Sequence, residues 1–268
     1  YTGFHSHGLS RIDPVIALGG GVIGDLAGFA AATWLRGVPL IQVPTTLLAQ
    51  VDSSIGGKTG LDLPEGKNLI GAFYQPHAVV MDPALLHTLP RRRMAEGLAE
   101  VIKYGLIGDL PLLSQIEQQA YDLEWVVERC VRSKITIVAQ DEKDSGERML
   151  LNFGHTVGHA IEKITGYERY SHGEAVAAGM AAAAAIGERM GQTETGTRDR
   201  IVRLLQTYQL PVHVPVAAGD LAVAILSDKK RLGNRIHFVL LRRPGEAFVQ
   251  PMDPETLGQL LQEVWNDG

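Results

Sequence analysis

The sequence PVIALGGGVIGD at residues 14–25 decides the fold class of this 268-residue chain. Its first five residues are an apolar run that stops at three glycines, which predicts a buried parallel strand ending in a glycine turn. A helix is predicted over residues 24–35, with Asp25 in its first turn, where the helix dipole favours an acid. Backbone amides at such a turn can cradle a phosphate group, although many glycine turns only allow close packing.

The same alternation continues along the first third of the chain. Residues 39–44 and 77–82 predict two more buried strands, and residues 52–60 are typical of a Gly/Ser loop. Strands that alternate with helices predict an α/β unit built on a parallel sheet. We therefore expect a partial nucleotide-binding domain over residues 1–89.

After Pro90 the pattern becomes helical, and strand signal returns only at residues 236–241. Helices are predicted over residues 91–107, 110–140, 152–166, 173–191, 195–207, 218–227 and 254–266. We therefore expect residues 90–268 to form a second, mostly α-helical domain.

The composition excludes several classes of protein. A net charge of −5 and a pI of about 6.0 leave no globally basic surface, so no nucleic-acid partner is expected. No apolar run approaches the roughly 18 residues of a membrane span, so no membrane partner is expected. The single cysteine, Cys130, excludes an intrachain disulfide and a cysteine-rich zinc site. It is compatible with a reducing compartment, and we expect a cytoplasmic protein.

One part of a dinucleotide fold is missing from the sequence. Such a fold also requires an acid about 20 residues after the glycine turn, to bind the adenosine ribose. Residues 36–48 contain no acidic residue, and the chain enters a core strand soon after Tyr1. We therefore expect the first half of the nucleotide fold to lie upstream, so that this chain is truncated at its N-terminus.

Histidines cluster near the middle of the chain, in LNFGHTVGH at residues 151–159 and SHGE at residues 171–174. A helix would place His155 and His159 on one face, among apolar neighbours. Imidazoles gathered in an apolar setting are most often ligands of a divalent metal. Glu100 lies on an apolar helix, where a buried carboxylate needs a partner. The spacing therefore predicts a metal site with His155 and His159 as a ligand pair and Glu100 as a third ligand.

Basic side chains near the glycine turn could bind an anionic substrate. Residues 53–60 resemble a phosphate loop but lack the Walker spacing, so a P-loop NTPase is not expected. Lys58, with Lys67 and Asn68 after it, could still meet a phosphate. A solvated loop lysine is an equally good interpretation of each lysine taken alone.

Further charged residues precede or follow the histidine run. Glu100 and Lys103 lie three residues apart, which is also the spacing of an ordinary helix-surface ion pair. Lys134 and Arg148 come shortly before the run. The late turn at residues 228–230 has the sequence Asp-Lys-Lys, which is typical of a solvated charge cluster.

Taken together, these blocks resemble one enzyme family, the 3-dehydroquinate synthases of the sugar-phosphate cyclase superfamily. The matching blocks occur in the family's order and span nearly the whole chain: residues 19–25, 36–37, 43–58, 66–68, 99–103, 152–159, 172–174 and 228–230. Family chains are longer at the N-terminus, in agreement with the expected truncation. The family often reads Asp-Glu-x-Glu-x-Gly-x-Arg before the histidines, and here residues 141–148 carry the shorter Asp144.

The resemblance implies a fold and a reaction. The fold would be a partial α/β nucleotide-binding domain with a parallel sheet, followed by a mostly α-helical domain that binds a metal and the substrate. The reaction would convert 3-deoxy-D-arabino-heptulosonate 7-phosphate to 3-dehydroquinate and phosphate, in the shikimate pathway of aromatic amino-acid biosynthesis. It would proceed by transient oxidation by NAD, β-elimination of phosphate, re-reduction and intramolecular aldol closure. The implied cofactors are NAD and a divalent metal, zinc or cobalt, and the implied assembly is a homodimer.

The resemblance also implies residue roles. It makes Glu100, His155 and His172 the metal ligands and turns His159 toward the substrate, unlike the ligand pair that spacing predicts. The implied substrate contacts are Lys103 and Asn152 at ring hydroxyls, Lys134 and Arg148 at the carboxylate, Lys58, Asn68, His159 and Lys230 at the phosphate, and Arg36 at the phosphate of a neighbouring subunit. The implied cofactor contacts are Gly19, Gly20, Gly21, Gly24, Asp25, Thr45, Thr46, Asp52, Lys58, Lys67 and Thr88.

Three alternatives remain open. Another sugar-phosphate cyclase, of the valiolone or deoxy-inosose synthase type, would not need all of the cations expected at the carboxylate. A metal-dependent polyol dehydrogenase would not need the phosphate cluster. A non-catalytic binding protein would not need the complete set of polar site residues. Without the upstream half, we expect this chain to bind NAD weakly and to show little activity.

Overall fold

The structure is a computed structural model that describes residues 1–63, 66–141, 146–229 and 235–266. It forms two compact units, Tyr1–Gly97 with Asp122–Ala139, and Leu98–Tyr121 with Gln140–Gly268. In chain order the elements are α1 (Thr2–Ser6), β1 (Val15–Gly19), α2 (Gly21–Thr33), β2 (Leu40–Pro44), β3 (Lys58–Leu63), β4 (Gly66–Phe73), β5 (Ala78–Val79), α3 (Arg91–Ile107), α4 (Leu110–Glu117), α5 (Leu123–Gln140), α6 (His155–Ile164), α7 (His172–Arg189), α8 (Thr197–Thr207), α9 (Ala218–Lys229), β6 (Ile236–Arg243), β7 (Glu246–Met252) and α10 (Pro254–Asn266).

The compact units divide the chain first after Gly97, and the domain boundary expected between residues 89 and 90 stays a prediction. The start of α3 belongs to the first unit because Gly97 lets this helix approach Leu47, where an added Cβ would lie 2.6 Å from the leucine Cβ. Most of α5 also belongs to the first unit, in which Lys134 forms an ion pair with Asp52. Contacts between residues far apart in sequence set this division.

The first unit confirms the predicted strand, glycine turn and helix. β1 pairs in parallel with β2, from Val15 opposite Leu40 to Gly19 opposite Pro44, and β2 pairs in parallel with β5. The helix α2 begins earlier than predicted, so Asp25 is not in its first turn.

The prediction that β1 is buried on both faces is wrong. Val15 and Ala17 are buried, whereas Ile16 and Leu18 on the opposite face are 61% and 63% exposed. The exposed face carries the same apolar residue types as the buried one, so residue type alone could not separate the two faces.

The sequence did not predict the antiparallel hairpin β3–β4. Lys58, expected in a loop, is the first residue of β3. Gly60 and Gly71 lie opposite each other, and a Cβ on either would lie within 2.6 Å of a backbone oxygen of the facing strand. These glycines allow close strand approach rather than a turn, which is why a glycine-rich composition was misread as a loop.

The second unit is mainly helical, as predicted, with an antiparallel β6–β7 hairpin whose second strand was not predicted. The single helix expected over residues 110–140 is two helices, α4 and α5. The chain turns at Gln119, which has a positive φ of 53°, and Asp122 accepts a hydrogen bond from the Trp125 N–H that starts the next helix. In the part of the chain that the structure describes, no helix is both long and apolar enough to cross a membrane.

The packing of α6 against α7 builds the centre of the second unit. The α7 helix is buried along most of its length by alanine and glycine residues. Gly179 allows the closest approach, because a Cβ there would collide with the backbone oxygen of Gly154, just before α6 begins. Small residues on α7 therefore place it directly beside the helix start that carries His155.

Candidate active site

Three of the predicted metal ligands meet in the second unit. The Oε1 atom of Glu100 lies 3.5 Å from Nε2 of His155 and 3.5 Å from Nε2 of His172. One ligand atom from each residue lies within 4.8 Å of the other two. The structure therefore brings together the trio that the resemblance implied, from α3, α6 and α7.

Local backbone structure sets both histidines at the first position of a helix. His155 follows Gly154, whose φ of 79° is a left-handed conformation that favours glycine. His172 follows Ser171, which forms a capping box with Glu174. The Nδ1–H group of His155 donates to the carbonyl of Phe153 at 3.1 Å, which leaves its Nε2 lone pair free toward Glu100.

The buried charges of the trio shift its pKa values in different directions. Burial opposes the charge on Glu100, but Lys103 and the two imidazoles outweigh it and hold the pKa of the carboxyl well below its usual value. Burial lowers the pKa of His155 to about 3. Burial also opposes the charge on His172, yet hydrogen bonds to the Glu100 and Glu162 carboxylates raise its pKa to about 10. Glu100 is therefore ionised and His155 neutral at pH 7, as metal ligands must be, whereas His172 carries a proton between two carboxylates that a metal would have to displace.

The donor set fits a divalent metal. The carboxylate of Glu100 is fully buried, and the side chains that face it are Lys103 and the two imidazoles, which are groups that a cation can replace or join. Tetrahedral zinc with bonds of about 2.05 Å separates its ligand atoms by about 3.4 Å. The observed separations of 3.5 Å between Glu100 and each imidazole match that spacing.

The predicted His155–His159 ligand pair is not brought together in one set. His159 belongs instead to a second possible trio with Glu162 and His172. Its ring centroid lies 5.4 Å from that of His155 and 6.0 Å from that of His172, and its side chain is exposed. Among the described residues, no candidate metal set contains both His155 and His159.

Three predicted substrate residues lie in the same unit as the trio, and Lys103 contacts it. Lys103 is almost fully buried and forms an ion pair with Glu100. Arg148 is buried in the short helix Glu147–Asn152, where its backbone N–H donates to the Asp141 carboxylate at 3.2 Å. Asn152, the last residue of that helix, is half-buried.

The first unit gathers a second ionisable cluster. The Nζ atom of Lys134 donates to the carbonyl of Asp52 at 2.6 Å and to its carboxylate at 2.9 Å. Burial, with the nearby carboxylates of Asp62 and Asp52, raises the pKa of Asp25 to about 7 against the opposing charge of Lys134. Lys134, predicted at the substrate carboxylate, is thus held by Asp52 in this structure.

The predicted cofactor residues near the glycine turn are close together. The Thr45 N–H donates to the carbonyl of Gly19 at 2.9 Å. A Cβ on Gly20 would lie 3.1 Å from the Thr46 methyl group, and one on Gly21 would lie 3.0 Å from Ser53 Oγ. The side chains of Lys58 and Thr88, which were also predicted to contact the cofactor, are exposed. The side chain of Arg36, predicted at the phosphate of a neighbouring subunit, is exposed as well.

Several predicted residues lie outside the described part of the chain. They are Lys230 and Asp144, together with the side chains of Lys67 and Asn68. Sequence reasoning missed Glu162, which is buried and lies 3.3 Å from His172 Nδ1. Its position three residues after His159 was the available signal, because an acid at that spacing shares a helix face with the histidine.

Family models match most of the chain. The 3-dehydroquinate synthase N-terminal model covers residues 1–96, and the C-terminal model covers residues 97–231. The chain belongs to the 3-dehydroquinate synthase family. The 3-dehydroquinate synthase of Clostridium acetobutylicum is 45% identical, over 96% of this chain and 74% of that protein. That of Azotobacter vinelandii is 55% identical, over 89% of this chain and 68% of that protein.

Solved structures confirm the predicted fold class. A 2-epi-5-epi-valiolone synthase from Streptomyces hygroscopicus, with NAD+ and Zn2+ bound, matches with a TM-score of 0.90 at 27% identity, over 99% of this chain and 77% of that one. A 2-deoxy-scyllo-inosose synthase complexed with carbaglucose-6-phosphate, NAD+ and Co2+ matches at 0.87 and 27%, over 98% of this chain and 76% of that one. The 3-dehydroquinate synthase relatives share far more sequence, so the alternative cyclase types are disfavoured.

Proposed function

We propose that this 3-dehydroquinate synthase family member converts its substrate, 3-deoxy-D-arabino-heptulosonate 7-phosphate, to 3-dehydroquinate and phosphate, using NAD and a divalent metal. The observation that carries the metal site is the buried trio of Glu100, His155 and His172, in which Oε1 of Glu100 lies 3.5 Å from Nε2 of each imidazole. NAD, when bound, supplies reversible hydride transfer, and the metal acidifies the hydroxyl that is oxidised.

The residues around the trio prepare it for a polar substrate. The ion pair with Lys103 keeps Glu100 ionised, and its buried ammonium group can donate to a ring hydroxyl once a substrate is present. Arg148 and Asn152 bind the carboxylate and a hydroxyl from their short helix. Exposed His159 is the group that can carry a proton to or from the departing phosphate.

The first unit would hold the cofactor at its glycine turn. The N-terminal amides of α2 would donate to the pyrophosphate of a bound NAD, and the glycines before and at the helix start would let the backbone approach it. Thr45, Thr46, Asp25 and Asp52 lie around this turn and supply polar contacts. We also propose zinc as the resident metal and a homodimer in which Arg36 meets the neighbouring subunit's phosphate.

The proposal is tested by following both products and cofactor. The chain, supplied with zinc, substrate and saturating NAD, is expected to release phosphate without net NADH. A Glu100→Ala variant is expected to release none, and Glu168→Gln, a change of an exposed acid, serves as the control. Stoichiometric NADH would indicate a polyol dehydrogenase instead, and no phosphate release at saturating NAD would contradict the proposed reaction.

A further inference from the structure

Glu162 is a buried carboxylate that the proposed reaction does not use. It lies on α6, two helical turns after His155 and on the same face, and its side chain is only 3% exposed. A carboxylate removed from water costs free energy unless charged or hydrogen-bonding groups compensate it. Its position therefore requires a specific partner.

That partner is one of the candidate metal ligands. The Oε2 atom of Glu162 lies 3.3 Å from Nδ1 of His172, while Nε2 of the same ring lies 3.5 Å from Glu100. A neutral imidazole has one donor nitrogen and one acceptor nitrogen. When Nδ1–H donates to Glu162, Nε2 is the nitrogen that faces Glu100, and a metal that displaces the Nε2 proton binds its lone pair there.

The two histidines have their ring orientation set by different means. His155 donates through Nδ1 to the backbone carbonyl of Phe153, which no side-chain substitution removes. His172 also belongs to the second possible metal trio with His159 and Glu162, and its Nδ1 is the nitrogen that faces Glu162. An Nδ1 that binds a metal cannot donate a hydrogen bond, so one ring cannot serve both arrangements in the neutral state.

We propose that Glu162 is a positioning residue that holds His172 in the Nδ1–H form and so directs its Nε2 atom to the metal held by Glu100 and His155. The inference rests on the metal site of the proposed function and adds the residue that selects between the two trios. Carboxylate partners of metal-bound histidines generally contribute 10–100-fold to metal affinity.

The test measures metal binding by the whole chain, without catalysis. Zinc affinity is obtained by competition with a chelator, and Co2+ titration reports the ligand set through its visible absorption. Glu162→Gln, which keeps an acceptor, is expected to weaken zinc binding about 10-fold, and Glu162→Leu about 100-fold, each with an altered Co2+ spectrum. Glu168→Gln, an exposed acid four residues past the end of α6, is the matched control and is expected to bind zinc like the unmodified chain.

The outcomes separate this inference from the proposed function. If the unmodified chain binds no metal, the metal site of the proposed function fails together with the inference. If it binds one metal and both Glu162 variants retain its affinity and Co2+ spectrum, only the positioning role is wrong, even if their melting temperatures fall. Loss of zinc binding in His159→Ala but not in His155→Ala would place the metal in the second trio and would also overturn the inference.

Discussion

Each compact unit contains a buried carboxylate whose pKa is strongly shifted, and the two shifts have opposite directions. Burial is the main reason that the pKa of Asp25 in the first unit rises to about 7, with the acids Asp62 and Asp52 adding to it and Lys134 opposing it. Glu100 in the second unit has Lys103 and two imidazoles as neighbours, so its pKa falls. Burial raises the pKa in both cases, and only at Glu100 do neighbouring positive charges and hydrogen-bond donors outweigh it. Of the two, only Glu100 therefore stays fully ionised while it is buried, as a ligand of a metal cation must.

The largest expected effect comes from removing the charge on Glu100. A Glu100→Gln chain loses an ionised ligand between two imidazole nitrogens, so we expect zinc affinity to fall by more than about 100-fold, the upper range for residues that only support ligands. Chelator competition measures the change. Glu96→Gln is the control, because Glu96 is also buried, lies one turn earlier on α3 and pairs with Arg93 instead. Equal losses of zinc affinity in both variants would mean that removing any buried carboxylate from α3 has this effect, and that Glu100 is not a metal ligand.

The next effect tests the acid cluster of the first unit. Lys134 is the cation paired with Asp52, and Lys134→Met would leave three neighbouring acids without it. We expect a loss of about 2 kcal/mol, less than for a fully buried pair because Asp52 is 23% exposed. This corresponds to a melting temperature lower by about 5 °C at pH 7. The loss is expected to shrink at pH 4, where Asp25, with its pKa raised to about 7, is protonated, and a loss that does not depend on pH would contradict the electrostatic explanation.

The smallest effect concerns the pH dependence of Asp25. Its folded-state pKa of about 7 lies above the unfolded value of 3.8, so the folded state holds the proton more tightly. Its contribution to stability is therefore present below pH 4 and is lost as pH rises through 7. An Asp25→Asn chain is expected to melt about 3 °C higher than the unmodified chain at pH 8, and at the same temperature at pH 4.

Thermal melts across that pH range measure the difference for Asp25→Asn. Asp199→Asn, which changes a mostly exposed acid on α8, is expected to melt at the same temperature as the unmodified chain at both pH values. A stabilisation of Asp25→Asn that is larger at pH 4 than at pH 8 would have the wrong sign and would reject the raised pKa.

The candidate metal ligands could be predicted from the sequence, but Glu162 beside them could not. Resemblance to the family named Glu100, His155 and His172, and the structure brings these three together. Spacing alone favoured His159 as a ligand, because helical periodicity reports which residues share a face but not what lies opposite that face. Glu162 was missed for the same reason, since its partner His172 lies on another helix.

The amino-acid sequence by itself determined the local elements of this protein. The strand, glycine turn and helix of residues 14–33 and the capping box at Ser171 depend on neighbours within a few positions, so their residue types suffice to predict them. Only the tertiary structure decided that Gly60 lies in a hairpin, that Asp25 and Glu100 titrate in opposite directions, and that His172 lies between two carboxylates. Strand pairing and buried charge depend on groups that the fold brings together from distant positions, and those distances are absent from the sequence.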